Sequence, residues 1–150
     1  MEGVEFKEGL PSPDEFNEGR RHSLVIIDDL MHETNVVVSK LFTKGSHHTN
    51  TCVIYITQNI FNHNKETRNI ALNTQYLVLF KNVRDKLQIT YLARQMYPSN
   101  PKHMAEAYAD ATDEPFSYLF VDLKPNIDEK HRLKACIFPD DEYNYVYVPK

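Results

Sequence analysis

Leu24-Val25-Ile26-Ile27-Asp28-Asp29 sets four apolar residues, three of them β-branched, directly before two carboxylates. A run this short and this rich in β-branched side chains reads as a strand, because a buried helix needs a longer stripe. Two similar runs follow, Val53-Ile54-Tyr55-Ile56 and Tyr76-Leu77-Val78-Leu79-Phe80. None alternates with polar residues, which predicts strands covered on both faces, as in a parallel sheet. The segments between them are long enough for crossover helices, one through Val36, Val37, Leu41 and Phe42, and a shorter, more polar one from Lys65 to Leu72. The expected fold is α/β with a mainly parallel sheet.

Beyond the third run, Asn82 is placed to cap a helix on which Ile89, Leu92, Ala93 and Met96 share a face, and Pro98 stops it. Asn100 followed by Pro101 opens a second helix, with Met104, Tyr108 and Ala111 on one side. Extra strands are expected at Tyr118 to Leu123, Leu133 to Phe138 and Tyr143 to Val148, closing or edging the sheet. The polar segment Lys124 to Lys130 separates the first two. Gly9 to Arg20 reads as an ordinary loop. No internal repeat or interdomain linker interrupts the chain, so residues 1–150 read as a single domain.

The 150 residues are 41% apolar and 11% aromatic, enough for one sizeable core. A net charge of −4 argues against a uniformly basic nucleic-acid coat, while leaving room for a local basic stripe. Cys52 and Cys136 each fall in an expected buried strand and read as small hydrophobes in a reducing compartment. With neither a bilayer-length apolar run nor a signal-peptide stretch, the expectation is a soluble protein of the cytoplasm or nucleus, neither secreted nor membrane-bound.

Each of the three runs ends in polar residues: Asp28-Asp29, then Thr57-Gln58-Asn59, then Lys81-Asn82. Packing does not require this. In open parallel sheets, ligands bind beyond the carboxyl ends of the strands, so neighbouring strands would bring these groups to one crevice. Four apolar residues followed by carboxylates is how a Walker B strand offers hard oxygen ligands to Mg²⁺. Gln58 and Asn59 on a neighbouring strand would supply the polar sensor that orients water or touches a terminal phosphate. The plainer account is that Asp28-Asp29 caps the next helix and that Gln58-Asn59 is a solvated loop.

In order along the chain, LVIIDDLM from Leu24, LFTKGSHHTN from Leu41, VIYITQN from Val53, LNTQYLVLFKNVRD from Leu72 and LARQMYP from Leu92 resemble the FtsK/HerA-type DNA-packaging ATPases. The resemblance is strongest to those of Polinton/Maverick elements and adintoviruses, relatives of the poxvirus packaging ATPase. It runs from GVEFKEGLP at Gly3 to CIFPDD at Cys136. It implies a P-loop NTPase three-layer fold and ATP and Mg²⁺ as cofactors. Asp28 would bind Mg²⁺ through water, Asp29 would polarise the attacking water, and Gln58 would be the sensor, with Asn59 beside the nucleotide. It further implies a homo-oligomeric ring acting on double-stranded DNA, with capsid proteins as additional partners.

Two positions differ from many relatives, although Asp-Asp is normal for the resembled subgroup. Asp29 stands where many superfamily members carry glutamate, and Thr49 stands where many relatives place a basic residue after the His pair. Lys44, Arg68 and Arg84 remain as cations for a neighbouring subunit's phosphates, or as solvated charges. His47 and His48 with Cys52 lack the second ligand pair a zinc site needs. Arg20, Arg21 and His22 form a short basic cluster, read as a solvated loop or a DNA contact.

The phosphate-binding loop itself is missing from the sequence. A P-loop requires Gly-x-x-x-x-Gly-Lys-Ser/Thr, and the glycines here, at 3, 9, 19 and 45, nowhere precede a lysine. By the resemblance, Met1 would fall inside the domain, and the absent P-loop strand would belong between the strand ending in Gln58 and the one ending in Lys81. The expectation is the carboxyl-terminal portion of a genome-packaging translocase, inactive alone. The alternative is a noncatalytic remnant serving as a protein- or DNA-binding module.

Overall fold

The computed structural model describes residues 4–9, 23–28, 36–45, 51–61 and 65–149. Contacts gather into two units, Met1–Asn73 and Thr74–Lys150. Among the described residues, no helix is long and apolar enough to cross a membrane.

In the first unit, β1 (Ser23–Asp28) and β2 (Thr51–Ile56) pair in parallel, in register from Ser23 opposite Thr51 to Asp28 opposite Ile56. The hydroxyls of Ser23 and Thr51 lie 2.9 Å apart and tie the pair together at its amino-terminal end. Helix α1 (Val36–Lys40) runs into a π-helical turn at Leu41–Gly45, and α2 spans Lys65–Asn73. Their apolar residues Val38, Leu41 and Ile70 close over Ile27, with Val25, Phe42, Val53 and Tyr55 packed around them.

That packing corrects the expectation of strands covered on both faces. Side chains alternate across a strand, and these helices gather over the Val25, Ile27, Val53 and Tyr55 face. Leu24, Ile26, Ile54 and Ile56, on the other face, are exposed. Cys52 lies on that exposed face too, so its reading as a buried hydrophobe is overturned.

In the second unit, β3 (Tyr76–Phe80) is followed by α3 (Leu87–Met96) and α4 (Pro101–Ala111). Then come β4 (Tyr118–Asp122), a 3₁₀ turn at Glu129–His131, β5 (Leu133–Ala135) and β6 (Tyr145–Tyr147). The sheet runs β3-β4-β5-β6, and every neighbouring pair is antiparallel. Its buried apolar residues are Leu79, Leu119, Val121 and Leu133 on the strands and, among others, Ile89, Leu92 and Met104 on the helices.

The sheet is therefore not mainly parallel: among the described strands only β1 and β2 pair that way. Two helices, where a βαβ crossover has one, separate β3 from β4. They reverse the chain once more, so β4 returns antiparallel. Within the described residues β2 pairs only with β1, and β3 only with β4. The last strands are shorter than expected. Cys136 follows β5 with φ 54°, half-buried and outside any strand.

Candidate functional site

The parallel register fixes what the first unit can do at its carboxyl edge. Asp28 is the last residue of β1 and lies opposite Ile56, the last of β2, so its exposed carboxylate leaves the sheet where β2 passes into Thr57-Gln58-Asn59. Neighbouring strands run about 4.8 Å apart, which brings Asp28 and this turn to one edge. Asp29 lies outside the described residues.

The turn after β2 is held by its own side chains. The Thr57 hydroxyl accepts the Asn59 N–H at 3.2 Å and donates to the Asn59 carbonyl at 3.2 Å. The Asn59 side-chain oxygen accepts the Phe61 N–H at 2.8 Å. Asn59 thus shapes the turn, and Gln58, between the two anchors, is exposed.

Of the three candidate cations, Arg68 is exposed on α2, where the adjacent Thr67 faces the core. Lys44 belongs to the π-helical turn after α1. Arg84 is exposed in the second unit, its N–H donating to the Asn82 side-chain oxygen at 3.0 Å. The zinc candidates His47 and His48 and the basic cluster Arg20, Arg21 and His22 lie outside the described residues. Among the described residues, no group of three or more His, Cys, Asp or Glu side chains is arranged to hold a metal. Magnesium commonly takes only one or two protein carboxylates and completes its shell with water and phosphate, so Asp28 fits as a single hard ligand.

The polar end of β3 has a structural use that the sequence reading missed. The Tyr108 hydroxyl donates to the Phe80 carbonyl at 2.9 Å and accepts the Asn82 N–H at 2.8 Å, stitching the strand end to α4. Lys81 donates to the Asp113 carbonyl at 3.3 Å. Asn82 does not cap α3. Its side-chain oxygen accepts the N–H groups of Arg84 and Asp85, and Asp85 in turn accepts from Leu87 N–H at 3.2 Å. Helical spacing puts Tyr108 on one face with Met104 and Ala111 and carries no signal that its hydroxyl finds the end of β3.

A second network fills the segment read only as polar. Arg132 donates to the Asp122 carbonyl at 2.7 Å, to the Lys124 carbonyl at 3.3 Å and to the Glu129 carboxylate. The buried Asp122 carboxylate accepts the Lys124 N–H at 3.1 Å. The Lys124 ammonium sits 5.0 Å over the Tyr76 ring, and its pKa is raised by a hydrogen bond with Tyr76 and by the Asp122 charge. Tyr97 is also shifted upward, by burial first and by Glu129 second. No family model, characterised protein or solved structure matches the chain.

Proposed function

We propose that this chain carries the magnesium-and-sensor part of a P-loop ATPase site, in a protein that uses ATP to move double-stranded DNA during viral or transposon genome packaging. The observation that supports it best is the parallel register of β1 with β2, which sets Asp28 beside the turn bearing Gln58. A parallel pair whose carboxyl edge bears one carboxylate and an exposed glutamine is compatible with a site that holds Mg²⁺ and orients water. Asp28 would be the magnesium ligand and Gln58 the sensor, with Asp29 adjacent to polarise the attacking water. ATP and Mg²⁺ would together supply the phosphoryl group and the charge that neutralises it.

The partial P-loop fold, the ring, the DNA and the capsid belong to this reading through the sequence resemblance. The phosphate cradle is the part this sequence does not encode, as no Gly-Lys-Ser/Thr segment is present. The same absence favours a second reading, a noncatalytic module that binds protein or DNA with the surface of an ATPase and none of its chemistry.

Purified chain should therefore release no phosphate from ATP, with or without Mg²⁺. Magnesium-dependent turnover that Asp28→Ala abolishes would contradict the half-site assignment. DNA affinity that is identical with and without nucleotide would favour the noncatalytic module.

A further inference from the structure

The antiparallel sheet of the second unit leaves the backbone of β3 open along one edge. Leu123 N–H donates to the Gln75 carbonyl at 2.8 Å, which fixes the phase of the ladder between β3 and β4. In an antiparallel pair, alternate residues bond to the neighbouring strand and the rest turn their N–H and C=O away from it. The register then directs Leu77 and Leu79 to β4 and turns Tyr76, Val78 and Phe80 outward. The Tyr108 hydroxyl meets the outward Phe80 carbonyl, in agreement with that phase. Among the described residues, none bonds to the outward backbone groups of Tyr76 and Val78.

The two edges of this sheet are built differently. At one end β6 is only three residues long, Asp140, Asp141 and Glu142 precede it, and Pro149 follows closely. Short strands, nearby charges and proline are the usual means by which an edge discourages pairing. At the other end β3 is five residues long and pairs with β4 in an unbroken register without a bulge. From Thr74 to Phe80 the sequence holds neither a charge nor a proline. A neutral, regular row of backbone donors and acceptors is matched by another extended strand.

The strand that fits these groups is β3 itself. A two-fold axis at Leu77 sets Tyr76 of each copy opposite Val78 of the other, so that each such pair exchanges both of its N–H to C=O bonds. This register uses only the open groups and leaves the Phe80 carbonyl to Tyr108. Each pair also brings an aromatic ring beside a β-branched side chain, a favourable cross-strand combination. No like charges meet across the axis, because the strand carries none. A charged peptide would find no complement along it.

We propose that the chain forms a two-fold dimer through the open edge of β3, joining the antiparallel sheets of two copies into one continuous sheet. The contact is isologous, so it closes at two copies. The proposal stands without the ATPase reading, since Asp28 and Gln58 take no part in it. A strand supplied by another polypeptide would compete for the same backbone groups, so the chain alone is the sample that tests it.

Sedimentation velocity over about a hundredfold range of chain concentration should show monomer giving way to dimer and to nothing larger. Amide hydrogen exchange locates the contact: the Tyr76 and Val78 N–H groups should exchange at least about tenfold more slowly in the dimer than in the monomer. Val78→Pro removes an outward N–H and leaves the bonds to β4 in place, so it should weaken dimerisation at least about tenfold with an unchanged circular dichroism spectrum. Val78→Lys keeps the N–H and guards the edge with a charge, and it should weaken the dimer even if the proline variant fails to fold. A chain that stays monomeric throughout, open-ended assembly, or a dimer whose Tyr76 and Val78 amides exchange as fast as the monomer's would overturn the proposal. So would a dimer that Val78→Lys leaves at full strength.

Discussion

Tyr147 donates its phenolic hydrogen to the Asp110 carboxylate at 2.8 Å, fastening the edge strand β6 to helix α4. Burial, then this hydrogen bond and the Asp110 charge, raise the Tyr147 pKa well above the ordinary phenol value. The folded state therefore keeps a proton that the unfolded state gives up above about pH 10. Where the unfolded chain binds fewer protons than the folded one, stability falls as pH rises. The contribution is whole below about pH 10 and is lost on going more alkaline. Tyr147→Phe should lower stability near neutrality by about 1 kcal/mol and flatten the alkaline decline, measured by urea unfolding at several pH values.

The hydroxyl of Tyr108 serves two backbone groups at once, the Phe80 carbonyl and the Asn82 N–H. Tyr108→Phe keeps the ring and removes both bonds. A loss of about 1 to 2 kcal/mol is expected, with faster amide exchange at Asn82 as the local signature. Unchanged exchange there would mean that water replaces the hydroxyl without cost.

Arg132 holds three acceptors in one planar fork, two carbonyls and the Glu129 carboxylate. Lysine keeps the charge and loses the fork. Arg132→Lys should therefore destabilise by about 1 to 2 kcal/mol in thermal or urea unfolding, although it is a like-charge substitution. A variant as stable as the parent would show that the geometry contributes nothing.

Burial in the first unit differs sharply between the two sides of one strand. Ile27 is 3% exposed and its neighbour Ile26 is 59% exposed. Ile27→Ala should cost about 2 to 4 kcal/mol, whereas Ile26→Thr should stay within about 0.5 kcal/mol. Comparable losses at both positions, by urea unfolding, would mean that the outer face is covered in solution.

The three apolar runs and the helices at Val36 to Phe42 and Lys65 to Leu72 were legible because length and β-branched content separate strands from helices. Strand direction was not legible at β3, since it depended on how many helices turned the chain before β4. Nor was coverage of the outer faces: an uninterrupted apolar run such as Leu24 to Ile27 permits a second packed layer without supplying one. At the candidate site, the adjacency of Asp28 and Gln58 followed from treating the strands as parallel neighbours. The role of Asn59 did not, because an amide at a strand end serves a turn or a ligand equally well by residue type, and only geometry showed its oxygen bound to Phe61 N–H. Tyr108 and Arg132 were hidden for the same reason, their partners lying 28 and 10 residues away in sequence.

The central claim is that Asp28 and Gln58 form part of an ATP site whose phosphate-binding loop comes from outside this sequence. The most direct test is to mix the chain with a polypeptide of the resembled family that carries the Gly-rich Lys-Ser/Thr loop and to measure phosphate release with Mg²⁺. The account predicts no turnover from either piece alone, turnover from the mixture, and a loss of at least about a hundredfold with Asp28→Ala or Gln58→Ala. Turnover by the mixture that is indifferent to both substitutions would contradict it, as would a mixture that neither binds nor hydrolyses ATP.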